Sequence, residues 1–505
     1  MSRWRPLHFV SLAAVASVLL ALWLVEISGF SGRAPRNLIL ISIDTLRADH
    51  LGSYGYPLPT SPRLDRFAER GAVFRNAFSP AGWTVPSHMS AFTGLEPAAH
   101  RLFAFPDPGR LGDGYVTLAE TLRDKGFETA AFTGGGFMSP HHGFEDGFER
   151  FTARGRHFDT KLADVRQWIE SVEANAGGSD EEPRFFAFLH GFDVHRPYRP
   201  PEAYARRWAE RAVPGAGEGR LVADRLFPLL EDLSVLAKNR GDDPERIRER
   251  PSDEDLSLVV SQYDAEIERV DDLLGEFLEW LDAKGLLSET LVVVFSDHGD
   301  EFYEHGSLDH VHTLYDELLR VAWFMLGPGV PRETVVRRPV SLVDVMPTVC
   351  DLLNVPLAAP VQGRSRVGAL DEEPDAPRGD DALYAFGGYS EFPYRMESVR
   401  TGKWKLHRWL LSGMKAAGPA AGAKPPFYSH QFRREAEDFV ELFDVEADPG
   451  EKSDVAAENP DVVKTLEEML DGRLEESASL AREPGERPKL TREYIEELKS
   501  LGYLR

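Results

Sequence analysis

The sequence predicts an α/β protein, a doubly wound sheet followed by a smaller α+β subdomain. Three observations carry that expectation. The run Leu38-Ile39-Leu40-Ile41-Ser42-Ile43 is almost continuously apolar, as a strand buried on both faces should be. Strand-like and helix-like stretches then alternate along the chain, the pattern of a sheet with crossover helices. Three strand-like runs also lead straight into residues with chemistry. Asp44 follows the first; His190, Asp193 and His195 follow residues 185–189; Asp297 and His298 stand one serine beyond residues 291–295. Ligands of such sheets bind beyond the carboxyl ends of the strands, so three such ends mark one site.

At the N-terminus, Arg3 and Arg5 precede residues 9–25, interrupted by no polar residues other than Ser11 and Ser17. This run is long for a signal-peptide core and just long enough to span a bilayer. The basic residues in front predict a cytoplasmic N-terminus and an exported remainder. Gly29-Phe30-Ser31 is a weak cleavage site, which favours a membrane anchor over a cleaved signal. The expected organisation is an anchor or signal with linker over residues 1–36, a catalytic domain over 37–381 and a C-terminal subdomain over 382–505. The expected location is membrane-anchored and extracytoplasmic, in the periplasm or at the cell surface. Protease added outside intact spheroplasts is therefore expected to digest the protein, and full protection would refute this topology.

Helices are expected at residues 62–70, 86–93, 116–125, 161–173 and 256–283, and further strands at 129–133 and 321–326. Residues 210–254 read as a charged helical insertion. In the C-terminal region short strands are expected around 398–406 and 442–444, and helices at 460–476 and 492–501. The Ala-, Gly- and Pro-rich residues 413–426 read as a mobile loop. The chain holds one cysteine, Cys350, so an internal disulfide is excluded and stability must come from packing. A formal net charge of −25 argues against nucleic acid as a partner, because phosphate backbones need clustered Lys and Arg.

The chemistry centres on Gly82-Trp83-Thr84-Val85-Pro86-Ser87-His88. Pro86 suits a first helical turn, where its missing N–H is no loss. Thr84 then stands just before the helix, with its hydroxyl beside unpaired N–H groups and the positive helix end. The alternative is an ordinary helix cap. Asp44, Asp297 and His298 are donors of the kind divalent cations take. A cation held by them and by Thr84 would lower the hydroxyl pKa and make Thr84 a usable nucleophile. His305, His310 and His312 crowd into the stretch after Asp297-His298, which predicts that at least one borders the pocket. His195 is a candidate for binding ester oxygens or protonating the leaving group, against a plain loop histidine held by neighbouring carbonyls.

These segments carry a family resemblance. Asp44-Thr45-Leu46-Arg47-Ala48-Asp49-His50-Leu51-Gly52 resembles the first metal segment of bacterial sulfatase-like proteins. Thr84 to Leu95, with Pro97 and His100, resembles their nucleophile segment. Phe188-Leu189-His190-Gly191-Phe192-Asp193-Val194-His195 is similar to the substrate-histidine segment. Ser296-Asp297-His298-Gly299-Asp300 is similar to the second metal segment, and His310 falls where the family tends to place a pocket histidine, so His310 is preferred to His312. Glu441-Leu442-Phe443-Asp444, with Asp448, Pro449 and Glu451, resembles the C-terminal region. The resemblance spans roughly residues 37–451. It implies an alkaline-phosphatase-like α/β core, a smaller C-terminal subdomain and a divalent cation (Ca, Zn, Mn or Mg). It also implies an ester substrate, set by the predicted export in the cell envelope or outside the cell.

The departures are as informative. Typical sulfatases carry Cys or Ser in a Cys/Ser-x-Pro-Ser-Arg segment, and that first residue is oxidised to formylglycine. Here the positions hold Thr84 and His88. Oxidation of a secondary hydroxyl gives a ketone, so formylglycine cannot form. Sulfatases usually pair two Asp residues after the first strand, whereas Thr45 stands second here. Threonine nucleophiles are familiar among phosphodiesterases and phosphoethanolamine transferases of the wider superfamily, which tilts the reading towards phosphate esters. The alternatives are a sulfatase working without formylglycine and a catalytically silent binding protein that keeps the fold.

Overall fold

The computed structural model describes residues 34–175, 183–215, 251–371, 382–389, 395–411, 437–486 and 491–500. The apolar run 9–25, most of the expected insertion at 210–254 and the loop at 413–426 lie outside them. Among the described residues no helix is long and apolar enough to cross a membrane.

The main sheet has eight strands: β1 (Asn37–Ile43), β2 (Ala72–Phe74), β3 (Phe127–Thr133), β4 (Arg150–Ala153), β5 (Arg184–Gly191), β6 (Thr290–Ser296), β7 (Trp323–Leu326) and β8 (Thr334–Val336). Their order is β8-β2-β7-β6-β1-β5-β3-β4. Strand β1 is central and parallel to β5 and β6, while β7 runs antiparallel to both of its neighbours. The continuous apolar sequence of β1 has a direct cause. Leu38 and Leu40 enter one buried cluster, and Ile39, Ile41 and Ile43 enter another on the opposite face. Helix α1 (Thr84–Thr93) contributes Val85, Met89 and Phe92 to the first cluster. Helix α2 (Asp253–Ala283) contributes Leu258, Tyr263 and Ile267 to the second. The sheet is thus sandwiched between helices, the doubly wound architecture that the alternation predicts.

Several expectations need correction. The expected strand at 321–326 is two strands. Arg320–Val321 pairs antiparallel with Ala77–Phe78 in a separate small sheet, and the chain enters the main sheet only at Trp323. One apolar stretch serves two buried pairings, and composition does not mark the switch. Strands β2, β4 and β8 were not anticipated, because three or four residues are too few to show a period.

The helix expected at 116–125 spans Leu118–Arg123. It opens on a reciprocal capping box, in which Thr117 Oγ1 accepts from Glu120 N at 3.1 Å and Glu120 Oε2 accepts from Thr117 N at 2.9 Å. Thr117→Ala is expected to lower stability by about 1 kcal/mol in chemical denaturation, with activity unchanged.

The C-terminal sheet runs in the order Phe439–Asp444, Trp404–Leu410, Arg395–Arg400, Leu383–Tyr389, with Ala104–Phe105 added parallel at its edge. The short strands expected around 398–406 are the two arms of a hairpin, Arg395–Arg400 and Trp404–Leu410. Gly402 sits in the turn, and Thr401 N donates to Trp404 O at 2.8 Å. Helix α3 (Pro460–Leu480) covers this sheet by packing Leu466 and Leu470 on Val399, Leu406 and Leu442.

Candidate active site

The ends of β5, β1 and β6 are level, because Ile43 pairs with Gly191 on one side and Ser296 on the other. The next residues of β1 and β6 are Asp44 and Asp297, both wholly buried. Thr45 turns the chain sharply with φ of 57°, unusual for a β-branched residue. Three bonds hold it there. Its N–H donates to Asp297 Oδ1 at 3.2 Å, its hydroxyl to Val194 O at 3.0 Å, and its carbonyl accepts from Tyr263 Oη at 2.7 Å. The hydroxyl of Thr45 is therefore spent on the backbone, and its position supplies no anionic ligand.

Thr84 is the first residue of α1, with Trp83 at the N-cap and no side-chain cap bond. This corrects the expectation that the helix begins two residues later, and the capping alternative with it. Pro86 falls within the first turn, where N–H groups have no helical partner anyway. The Thr84 hydroxyl donates instead to Asp44 Oδ2 at 3.4 Å. His190 Nε2 donates to the same oxygen at 3.1 Å. One turn along α1, His88 Nδ1 donates to Thr84 O at 2.8 Å, and its Nε2 accepts from Ser42 Oγ at 2.7 Å. His88 thereby ties the nucleophile turn to β1. Burial holds its pKa down to about 3.

The arrangement fits a cation. Asp44 Oδ1, Asp297 Oδ2 and His298 Nε2 are buried and lack a hydrogen-bond partner. Donor atoms of these three residues lie within 4.8 Å of one another. His298 Nε2 is 3.3 Å from Asp297 Oδ2 and 3.8 Å from Asp44 Oδ1. His298 Nδ1 lies 2.9 Å from Gly299 O, an acceptor, so Nδ1 carries the proton and Nε2 presents a lone pair. Two carboxylate oxygens and a lone pair facing one another repel unless a positive charge sits among them. Without a cation, burial raises the Asp44 carboxyl, and burial together with Asp44 raises Asp297 well above the carboxylate range. Burial pushes His298 down to about 3.

A second cluster adjoins the first. The His310 ring lies 4.5 Å from His298 and 5.0 Å from His195, centroid to centroid. His310 Nδ1 is held between Asp300 Oδ1 at 2.7 Å and Asp309 Oδ1 at 2.9 Å. Burial alone would lower the His310 pKa, but Asp309 and Asp300 override it and raise it to about 10. Arg196 Nε sits 2.7 Å from Asp309 Oδ1. His195 is buried, bonds through Nδ1 to Arg196 O, and is pushed well below its usual pKa by burial and then by His310.

The other two histidines turn elsewhere. His312 Nε2 meets Glu301 Oε2 at 2.7 Å, and His305 stacks on Tyr315 at 3.6 Å. The structure thus brings Asp44, Thr84, Asp297 and His298 together, with His195 and His310 alongside. Sequence reasoning missed Ser42, Asp309 and Tyr263 as partners. For Asp309, its place beside His310 was an available signal.

Comparison with known proteins identifies the family. The sulfatase family profile matches residues 36–355. Arylsulfatase A of Homo sapiens is 26% identical over 497 residues, covering 91% of this chain and 90% of its own length. Arylsulfatase K of Danio rerio is 23% identical, covering 86% and 83%. Among solved structures, one determined with its substrate D-glucosamine-2-N,6-O-disulfate has a TM-score of 0.67 at 19% identity, covering 90% of this chain and 100% of that one. The phosphonate monoester hydrolase of Agrobacterium radiobacter has a TM-score of 0.62 at 20% identity, covering 91% and 99%. With the family profile matched over more than half of the chain, this protein belongs to the sulfatase family of the alkaline-phosphatase superfamily and is an ester hydrolase.

Proposed function

We propose that the protein hydrolyses or transfers phosphate esters through Thr84, with a divalent cation held by Asp44, Asp297, His298 and Thr84. The observation that carries this reading is the bond from Thr84 Oγ1 to Asp44 Oδ2 at the start of α1. When bound, the cation lowers the pKa of the Thr84 hydroxyl and offsets charge developing on the ester oxygens. Asp44 orients that hydroxyl and is itself fixed by His190. The first turn of α1 presents unpaired N–H groups and a positive helix end towards the transferred group.

His310, kept positive by Asp300 and Asp309, binds ester oxygens or gives a proton to the departing alkoxide, with His195 beside it. Thr84 Oγ1, its proton passing to Asp44 Oδ2, bonds to phosphorus as the P–O bond to the departing alkoxide breaks; water, or an acceptor alcohol in a transfer, then cleaves the Oγ1–P bond and the Thr84 hydroxyl regains a proton. The neighbouring folds include both a protein solved with a sulfated sugar as its substrate and a phosphonate monoester hydrolase, so fold does not choose between sulfate and phosphate. The chemistry of Thr84 favours phosphate, since it cannot become the aldehyde on which typical sulfatases rely.

The test is a substrate panel, with aryl phosphate, phosphodiester, phosphonate monoester and aryl sulfate assayed alongside metal analysis of the purified protein. A phosphorus ester is expected to give the highest kcat/KM. An aryl sulfate preferred by tenfold or more would overturn the phosphate assignment.

A further inference from the structure

We propose a second binding site, for a small amphiphile with an apolar body and an anionic head, in the cleft between the C-terminal sheet, helix α3 and the loop at residues 101–103. The cleft encloses about 620 Å³, within the range of pockets that hold small molecules. Its apolar lining includes Phe103, Phe386 and Met396, with Ala478 contributed by α3.

Its charge is positive. Arg101 and Arg395 both line it. The one acid among the described lining residues, Glu397, is engaged by Arg408 at 2.6 Å and by Arg395 at 3.2 Å. Two guanidinium groups thus line the cleft against one carboxylate, in a chain whose formal net charge is −25; Arg408, behind Glu397, is also paired with Asp471 at 2.7 Å. Arg101 also holds a left-handed backbone, with φ of 68°, at the end of Pro97–His100, a position where glycine is usual.

The cleft is separate from the buried cluster but mechanically joined to it. Trp83 Nε1 donates to Phe103 O at 3.3 Å, and the Trp83 ring meets Phe105 edge-on at 5.3 Å. Trp83 immediately precedes Thr84. An amphiphile bound here therefore leans on the loop that sets the nucleophile turn. It has two sources, the non-transferred part of an ester substrate or a separate effector. The first source alone rests on the proposed function.

The probe is 8-anilinonaphthalene-1-sulfonate, an apolar body with an anionic head, measured by equilibrium dialysis on the full chain. Saturable binding at one site is expected. Ala478→Trp, which fills the cleft from an exposed helix position, and Arg101→Glu, which reverses its charge, are each expected to weaken binding tenfold or more with circular dichroism unchanged. Equal binding in parent and both variants would overturn the site, whether or not any ester is turned over. Where turnover is found, a probe that raises KM only for an amphiphilic ester identifies the substrate's own remote part. A probe that changes kcat equally for small and amphiphilic esters identifies an effector.

Discussion

Thr84→Ala is expected to abolish turnover, lowering kcat by about 10³-fold or more, a barrier increase of roughly 4 kcal/mol. Stability should barely change, because the Thr84 hydroxyl caps no helix and makes a single bond of 3.4 Å to Asp44. Thr84→Ser is expected to keep part of the activity, since a hydroxyl remains beside Asp44. Rapid quench of the parent should trap phosphate on Thr84. The deciding measurement is kcat of the purified alanine variant on an ester that the parent hydrolyses. A rate within about tenfold of the parent, or ~1.4 kcal/mol, would refute the nucleophile.

Asp297→Ala should act through the cation. Asp297 offers Oδ2 to the cluster, while Oδ1 accepts from Thr45 N. The expected result is loss of bound metal by elemental analysis, with kcat/KM down by about 10²-fold or more. Stability gives a second and opposite readout. In metal-free parent protein, Asp44 and Asp297 are both raised above the usual carboxylate pKa, by burial first and, for Asp297, by Asp44 next.

A carboxyl raised on folding contributes stability that is present below its unfolded pKa of about 4 and is lost as pH rises through the folded value. Metal-free parent should therefore lose Tm as pH is raised above about 4. Metal-free Asp297→Ala should lose less of it, and added cation should no longer raise its Tm. Unchanged metal content in the variant would exclude Asp297 as a ligand.

The parts of this structure that were legible in the sequence share one property: their signal is local. The strand from Leu38 to Ile43 announces itself because both its faces are buried, and Asp44 is marked by following it directly. The parts that were illegible depend on partners far away in the chain. Nothing near Thr45 foretells that its hydroxyl meets Val194 O, or that its N–H meets Asp297. Nothing near Arg320 foretells pairing with Phe78 rather than continuation into the main sheet. The helix start was placed two residues late because Pro86 was taken as its first position, whereas a proline is tolerated anywhere in the first turn. His310 could be preferred to His312 only by resemblance. The physical reason, a pair of carboxylates gripping one imidazole, appears only when Asp300 and Asp309 are folded onto it.

The level ends of β1 and β6 have a consequence for folding fidelity. Asp44 and Asp297 meet only in the register that sets Ile43 against Ser296. Because side chains alternate along a strand, a slip of one residue would swing either aspartate to the far face of the sheet. A cation bound by both is thus a ligand for the correctly zipped sheet alone. By linkage it stabilises that state and leaves misregistered ones untouched. Were a cation held by both aspartates, its loading would double as proofreading of strand register.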